Sequence, residues 1–367
     1  MDFAFNEEQE MLRSQARSFL SEKLPPEKVV ELAESEEGWD RSLWRAMAEL
    51  GWTGLSIPED QGGSGMGFLE EAVLFEEFGY AAAPGPHFST LALAQPLLSN
   101  APEDLARIAA GEVVATVAWA EPGAGYLDDL SGISTKAERT GDGWILTGEK
   151  LLVVDLGLAD RIVVVAAANG STGLWVVSGD AEGVSRKVHS TMDSARRLGT
   201  LELTQARADL VAKLSDAAQS IRRMRLRALA ALALEAVGVA QKALELATDY
   251  AKERRQFDKP IGTYQAVSHQ IADTYMEVEL ARSLAYWAAW CVAEEDDQAP
   301  SAVSAAKSAA GEAAVAACER SIQVHGGMGF TWEHILHRYY KRAQWIESFE
   351  GYGTRQRAVL AAALLDE

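Results

Sequence analysis

The chain has 367 residues, of which 48% are hydrophobic and 24% charged, with a formal net charge of −20. That length exceeds what one hydrophobic core usually serves, so two or three domains are expected. The negative field disfavours a nucleic-acid or membrane-surface partner, and two thiols, Cys291 and Cys318, without metal-ligand spacing exclude a disulfide framework.

The opening MDFAFNEEQE is acidic and lacks an apolar core, so no secretory signal is expected. No run of about 18 uncharged apolar residues occurs, so no membrane span is expected either. These points favour a cytoplasmic protein.

Residues 1–110 read as helical. FNEEQEMLRSQARSFLSEKL carries apolar residues at helical spacing and meets Pro25 and Pro26; DRSLWRAMAELGW stops at Gly51; after the glycine-rich PEDQGGSGMG another helix is expected over FLEEAVLFEEFGYAAA. Residues 111–210 change character. EVVATVAWAE, GWILTGEKLLVV, RIVVVAAA, TGLWVVSG and LGTLELTQA are short apolar runs separated by GDG, NGSTG and GDAEG, which predicts a small antiparallel sheet or barrel. The alternating strand–helix order of a dinucleotide-binding α/β fold is missing. Residues 211–367 return to helix. A first helix of more than thirty residues is expected to end near RRQF, a second covers YQAVSHQIADTYMEVELARSLAYWAAWCVAE, and an alanine-rich third follows the solvated EEDDQAP. Small residues allow close helix contact, so a packed bundle is predicted.

Four places can carry chemistry. KERRQFDKPIGTYQ puts Arg254, Arg255 and Phe257 at a helix end, where cations serve either as a cap or as an anion site beside an aromatic ring. QVHGGMGF, residues 323–330, holds three glycines that either stop the helix or let backbone approach a ligand. Glu235 is the only charged residue in ALAALALEAVGVAQ; it either lines a wet stripe or is buried, and a buried carboxylate is a candidate base near neutral pH. Near the C-terminus IESFEGYGTRQR sets Glu350 before two glycines. WEHILH places His334 and His337 after Glu333, but the order is not that of a zinc helix and no third ligand is evident, so no metal is expected.

The segment order, together with ERRQF, HGGMGF and FEGYGT, resembles the acyl-CoA dehydrogenase family over essentially the whole chain. FNEEQEMLRSQARSFL looks like that family's opening helix, GLSIPEDQGGSGMG its second landmark, and AEPGAG its Thr-Glu-Pro-x-Ala-Gly segment. The resemblance implies an N-terminal helical domain, a small β-barrel or sheet, and a C-terminal four-helix bundle. It implies FAD between the β domain and the bundle, completed by a neighbouring subunit of a homotetramer, or of a heterotetramer with a related chain. On the matched positions Arg254 is expected at the FAD pyrophosphate with Phe257 beside it and Gln265 beyond the turn, while Gln323, Gly326 and Gly327 approach the adenosine half.

Phe349, Glu350 and Gly351 match the family's Tyr-Glu-Gly, which makes Glu350 the position-matched catalytic base. The carboxylate would take the α-proton of an acyl-CoA thioester while the β-hydride goes to flavin, giving the trans-2-enoyl-CoA and passing electrons to an electron-transfer flavoprotein, as in β-oxidation. Some members place the base on the long bundle helix, near Ala228 here. Glu235 lies seven residues on and on the same face, and resembles a glutamate of a bacterial branch that includes unlike-subunit pairs; it is the second candidate. Three departures stand out: Tyr352 for the threonine after the glycine, Ala120 for a hydroxyl residue, and Leu152, Val153 and Val154 for Trp-Ile-Thr. They suggest an alternative, a weakly catalytic partner subunit that completes the FAD site of a related chain.

Overall fold

Asn6 starts the first helix with a reciprocal cap, its side chain accepting from the Gln9 amide while Gln9 reaches back to the Asn6 amide. The computed structural model describes residues 5–123, 125–141, 143–212 and 214–365. Helices α1 (Glu7–Lys23), α2 (Pro26–Glu34), α3 (Arg41–Glu49), α4 (Phe68–Tyr80) and α5 (Pro102–Ala109) precede the strands, with a π-helical turn over Phe88–Ala94. The Pro25–Pro26 pair does more than end α1: Pro26 opens α2, since its missing N–H and fixed φ suit a first helical turn.

Seven strands follow, β1 (Ala115–Ala118), β2 (Lys136–Thr140), β3 (Gly143–Val154), β4 (Arg161–Ala168), β5 (Ser171–Ser178), β6 (Val184–Val188) and β7 (Leu198–Leu210). Strands β4, β2, β3, β7 and β5 pair in a ring that closes when β5 returns to β4, while β6 adds to β7. The interior is filled by Leu146, Val164, Trp175, Leu201 and their neighbours. The strands are not all antiparallel as the sequence suggested. β1 runs parallel to β4, reached only after the β2–β3 hairpin has been laid down, and Lys136 also meets Ala167 in parallel.

The helical C-terminal region comprises α6 (Ala217–Glu253), a two-strand ribbon of β8 (Arg255–Gln256) and β9 (Lys259–Pro260), α7 (Gln265–Ala293), α8 (Ala299–His325), α9 (Leu336–Ser348) and α10 (Gly353–Leu365). The chain is thus helical, then β, then helical, as the sequence predicts. Two compact units result. One holds the residues up to Glu31, Phe68–Ala83 and the chain from Leu229; the other holds Leu32–Gly67 and Pro84–Ala228. Within the first, α8 buries Ala302, Ala306, Ala310, Ala314 and Ala317, whose small side chains let its neighbours come close. Among the described residues no helix is long and apolar enough to cross a membrane.

Candidate active site

Glu350 lies in the tight turn between α9 and α10. Phe349 leaves α9 with extended geometry, then Glu350 and Gly351 take φ of 55° and 90°. A left-handed conformation is natural for glycine but costs a glutamate roughly 1 kcal/mol, so the surroundings must impose it. They do. The Gln356 side chain donates to the Glu350 carbonyl at 2.9 Å, and the Gly351 amide to the Ser348 carbonyl at 3.1 Å. A Cβ on Gly353 would run into Glu312 and Ser308 of α8, so α10 begins hard against α8. Glu350 is 6% exposed. Lys307, also on α8 and 1% exposed, donates to the Glu347 carbonyl at 3.2 Å, three residues before Glu350.

Glu235 is buried rather than on a wet stripe. It is fully enclosed in α6 and accepts from Arg342 of α9 at 2.7 Å. Arg342 also donates to the Ala83 carbonyl, at 3.3 and 3.4 Å. Two glycines allow the approach of α4 to α6 here: a Cβ on Gly79 would overlap the Glu235 carbonyl, and one on Gly238 that of Glu76. Arg342 is the residue that sequence reasoning passed over. It sits in a run of charged residues, RYYKRAQ, where nothing marks which side chain turns inward.

The expected cofactor residues form two segments. Arg254 and Arg255 follow α6, and Phe257 and Asp258, with φ of 52° and 64°, make the two-residue turn of a β8–β9 hairpin. The segment is therefore a built ribbon instead of a plain helix cap. Arg254 and Gln265 are exposed, and Phe257 is 87% exposed. The second segment closes α8: Gln323 is exposed, and Gly326 takes φ 62° and ψ −140°. His325 stacks on Tyr250 at 4.4 Å between ring centres, which brings this segment beside the last turn of α6, which Arg254 follows. Added Cβ atoms on Gly326 and Gly327 would meet nothing within 4 Å. Among the described residues nothing fills the space beside Gly327. An exposed guanidinium, a projecting aromatic ring and open glycine backbone fit the pyrophosphate and adenosine portions of FAD. Glu350 is not among them; Lys307 and the Glu350 turn lie toward the other end of α8.

In the β unit, Ala120 and Val154 are buried and Leu152 is 59% exposed with φ 54°, because a register shift between Lys150 and Val153 turns it outward. Behind this face Glu121 and Lys150 form an ion pair with both side chains fully buried. Burial pushes the Glu121 carboxyl up, but hydrogen bonds from Lys150, Ser134 and Thr135 outweigh it and hold the group at about 2. Burial pushes Lys150 down to about 8 against the attraction of Glu121. The pair fixes the Trp119 carbonyl, and Leu151 donates to the Ala120 carbonyl at 2.8 Å. Side chains 120 and 154 offer no hydroxyl, so any polar contact from these two positions comes from backbone.

His334 packs against His325 at 4.6 Å and accepts from the Leu336 amide at 3.2 Å, while His337 packs on Trp332 at 4.7 Å.

Comparison with known proteins gives concordant matches. The model for "Acyl-CoA dehydrogenase, N-terminal domain" matches residues 6–109, and that for "Acyl-CoA dehydrogenase, C-terminal domain" residues 217–365. The chain is 32% identical over 340 residues to the acyl-CoA dehydrogenase IpdE2 of Mycobacterium tuberculosis, covering 92% of this chain and 91% of that protein. It is 31% identical over 383 residues to the caffeyl-CoA reductase–Etf complex subunit CarC of Acetobacterium woodii, covering 98% and 99%. Its fold is similar to a chain in the solved ChsE4–ChsE5 complex from Mycobacterium tuberculosis, with a TM-score of 0.90, 29% identity and 100% of both chains covered.

Proposed function

The chain belongs to the acyl-CoA dehydrogenase family of FAD-dependent oxidoreductases, and from that premise we propose that it oxidises an acyl-CoA thioester to the trans-2-enoyl-CoA with Glu350 as base. One observation carries the assignment. Of the two candidate glutamates, Glu235 is committed to Arg342, whereas Glu350 is presented by a strained turn that three neighbouring elements hold in place. Strain of this kind persists where geometry matters to function.

In this reading the Glu350 carboxylate takes the α-proton. FAD, when bound, would supply the acceptor for the hydride that leaves the β carbon. Glu350 is shielded from water, and a water-poor site strengthens the electrostatic interactions that proton transfer depends on. Arg254 would hold the pyrophosphate with a fixed positive charge, and Gly326 and Gly327 would let backbone approach the cofactor. The likeness to a subunit of a reductase–Etf complex supports an electron-transfer flavoprotein as the electron acceptor.

Leu152 and Ala120 favour one alternative, a chain that completes the cofactor site of an unlike partner; similarity to a member of the ChsE4–ChsE5 complex supports it. The flavin content of the chain purified alone separates the two. Stoichiometric FAD, bleached by acyl-CoA in the wild type and about 10³-fold more slowly in Glu350→Gln, is the expected result. Flavin acquired only on co-expression with a related chain would favour the partner-subunit reading.

A further inference from the structure

The loop that carries the open glycines is tied at both ends by aromatic rings. His325, the last residue of α8, is buried, and its Nδ1–H donates to the Ser321 carbonyl at 2.8 Å, which fixes the ring against its own helix. Tyr250 of α6 stacks on that ring, and His334 packs on it at 4.6 Å between ring centres. His334 is fixed in turn by α9, because its Nδ1 accepts from the amide of Leu336, the first residue of that helix. The two imidazoles therefore join the end of α8 to the start of α9, and residues 326–333 run between them. A loop ordered in advance costs a ligand less to bind than one that must be ordered on binding.

The same geometry makes the tie sensitive to acid. Nδ1 of His334 is an acceptor, so its neutral ring carries the proton on Nε2, and a second proton would have to enter where the Leu336 amide points. Burial, and then the charge of His325, hold His334 below its ordinary 6.5. The other groups of the packed elements do not reverse this. Glu333 is exposed and bonded to Thr331, α6 presents the Tyr250 ring, and on α9 His337 and Lys341 pack on Trp332 while Arg338, a cation, is buried.

We propose that the His325–His334 contact is a clasp: it closes residues 326–333 so that Gly326 and Gly327 offer ready-placed backbone to FAD, and protonation of His334 releases it. His334 is then a positioning residue for the cofactor. The proposal rests on the glycine segment meeting FAD. Neutral His334 supports the closed loop above pH 6.5, and that support is lost as pH falls below it.

The test uses the flavin-loaded protein and its His334→Phe, His334→Ala and Gly327→Trp variants. FAD retention is measured by equilibrium dialysis from about pH 7.5 to about pH 5, with thermal melts and amide hydrogen exchange of residues 326–333. His334→Ala opens the clasp at every pH, so FAD should bind about fivefold more weakly even at the upper end, with faster exchange in the loop and a melt close to wild type. His334→Phe keeps a ring that cannot titrate, so it should hold FAD at the upper end and lose most of the weakening in acid. An acid profile of His334→Phe that superimposes on wild type overturns the inference, and so do wild-type retention and exchange in His334→Ala. If His334→Ala fails to fold, the acid profile of His334→Phe decides. Gly327→Trp tests the reading beneath. Undiminished FAD retention there would remove the glycine segment from the cofactor site, a failure distinct from that of the clasp, which the amide exchange reports by itself.

Discussion

Glu235 shares its burial with a guanidinium, and that partnership defines its energetics. Removing one member of a buried ion pair strands the other, at a cost of about 3–5 kcal/mol, whereas replacing both with apolar residues is often neutral or better. Glu235→Ala should therefore lower the melting temperature sharply, and Glu235→Leu combined with Arg342→Met should recover most of it. A large loss of turnover with an unchanged melt in Glu235→Ala would contradict the pairing account. The Glu121–Lys150 pair predicts a pH effect. Glu121 is held at about 2, below its ordinary 4.5, so its stabilisation is complete above 4.5 and is lost as pH falls toward 2. The stability gap between wild type and Glu121→Gln should narrow through that window in thermal melts. Lys150 acts at the other end: held at about 8 below its ordinary 10.5, its burial penalty is present below 8 and relieved as pH rises toward 10.5.

Glycine has opposite meanings in two elements. Gly238 lets α6 pass α4 at backbone distance, so Gly238→Ala should destabilise by about 1–3 kcal/mol through overpacking, despite alanine's better helix propensity. Gly327 faces open space, so Gly327→Ala should leave the melt within about 0.5 kcal/mol of wild type and act, if at all, on FAD retention by equilibrium dialysis. The long helices were legible because apolar spacing and alanine runs mark them directly. The α2 start at Pro26, the hairpin turn at Phe257–Asp258 and the parallel β1–β4 pair were not, since each depends on neighbours distant in sequence or on left-handed residues that are not glycine. The same limit applied at the site. Glu235 drew attention as a lone charge in an apolar stretch, and that logic extends to Lys307 in SAAKSAAG. What no local pattern could supply was that Arg342 would meet the first, and the Glu350 turn the second.

Helix α8 carries both halves of the proposed site. Lys307, which anchors the Glu350 turn, and His325, which opens the glycine segment, lie eighteen residues apart on it, about 27 Å at 1.5 Å per residue. That helix keeps the base and the cofactor anchors of one chain apart, so the two can serve different flavins when subunits share sites. The relationship is open to a genetic cross. Chains with Glu350→Gln keep their anchors, and chains with Arg254→Glu keep their base. Each alone should be inactive, yet co-expression should restore part of the wild-type turnover, because some mixed assemblies would pair an intact base with an intact anchor. If the two kinds of residue acted on the same flavin, no mixture of the two mutants could recover, and the cross would read them as one functional unit.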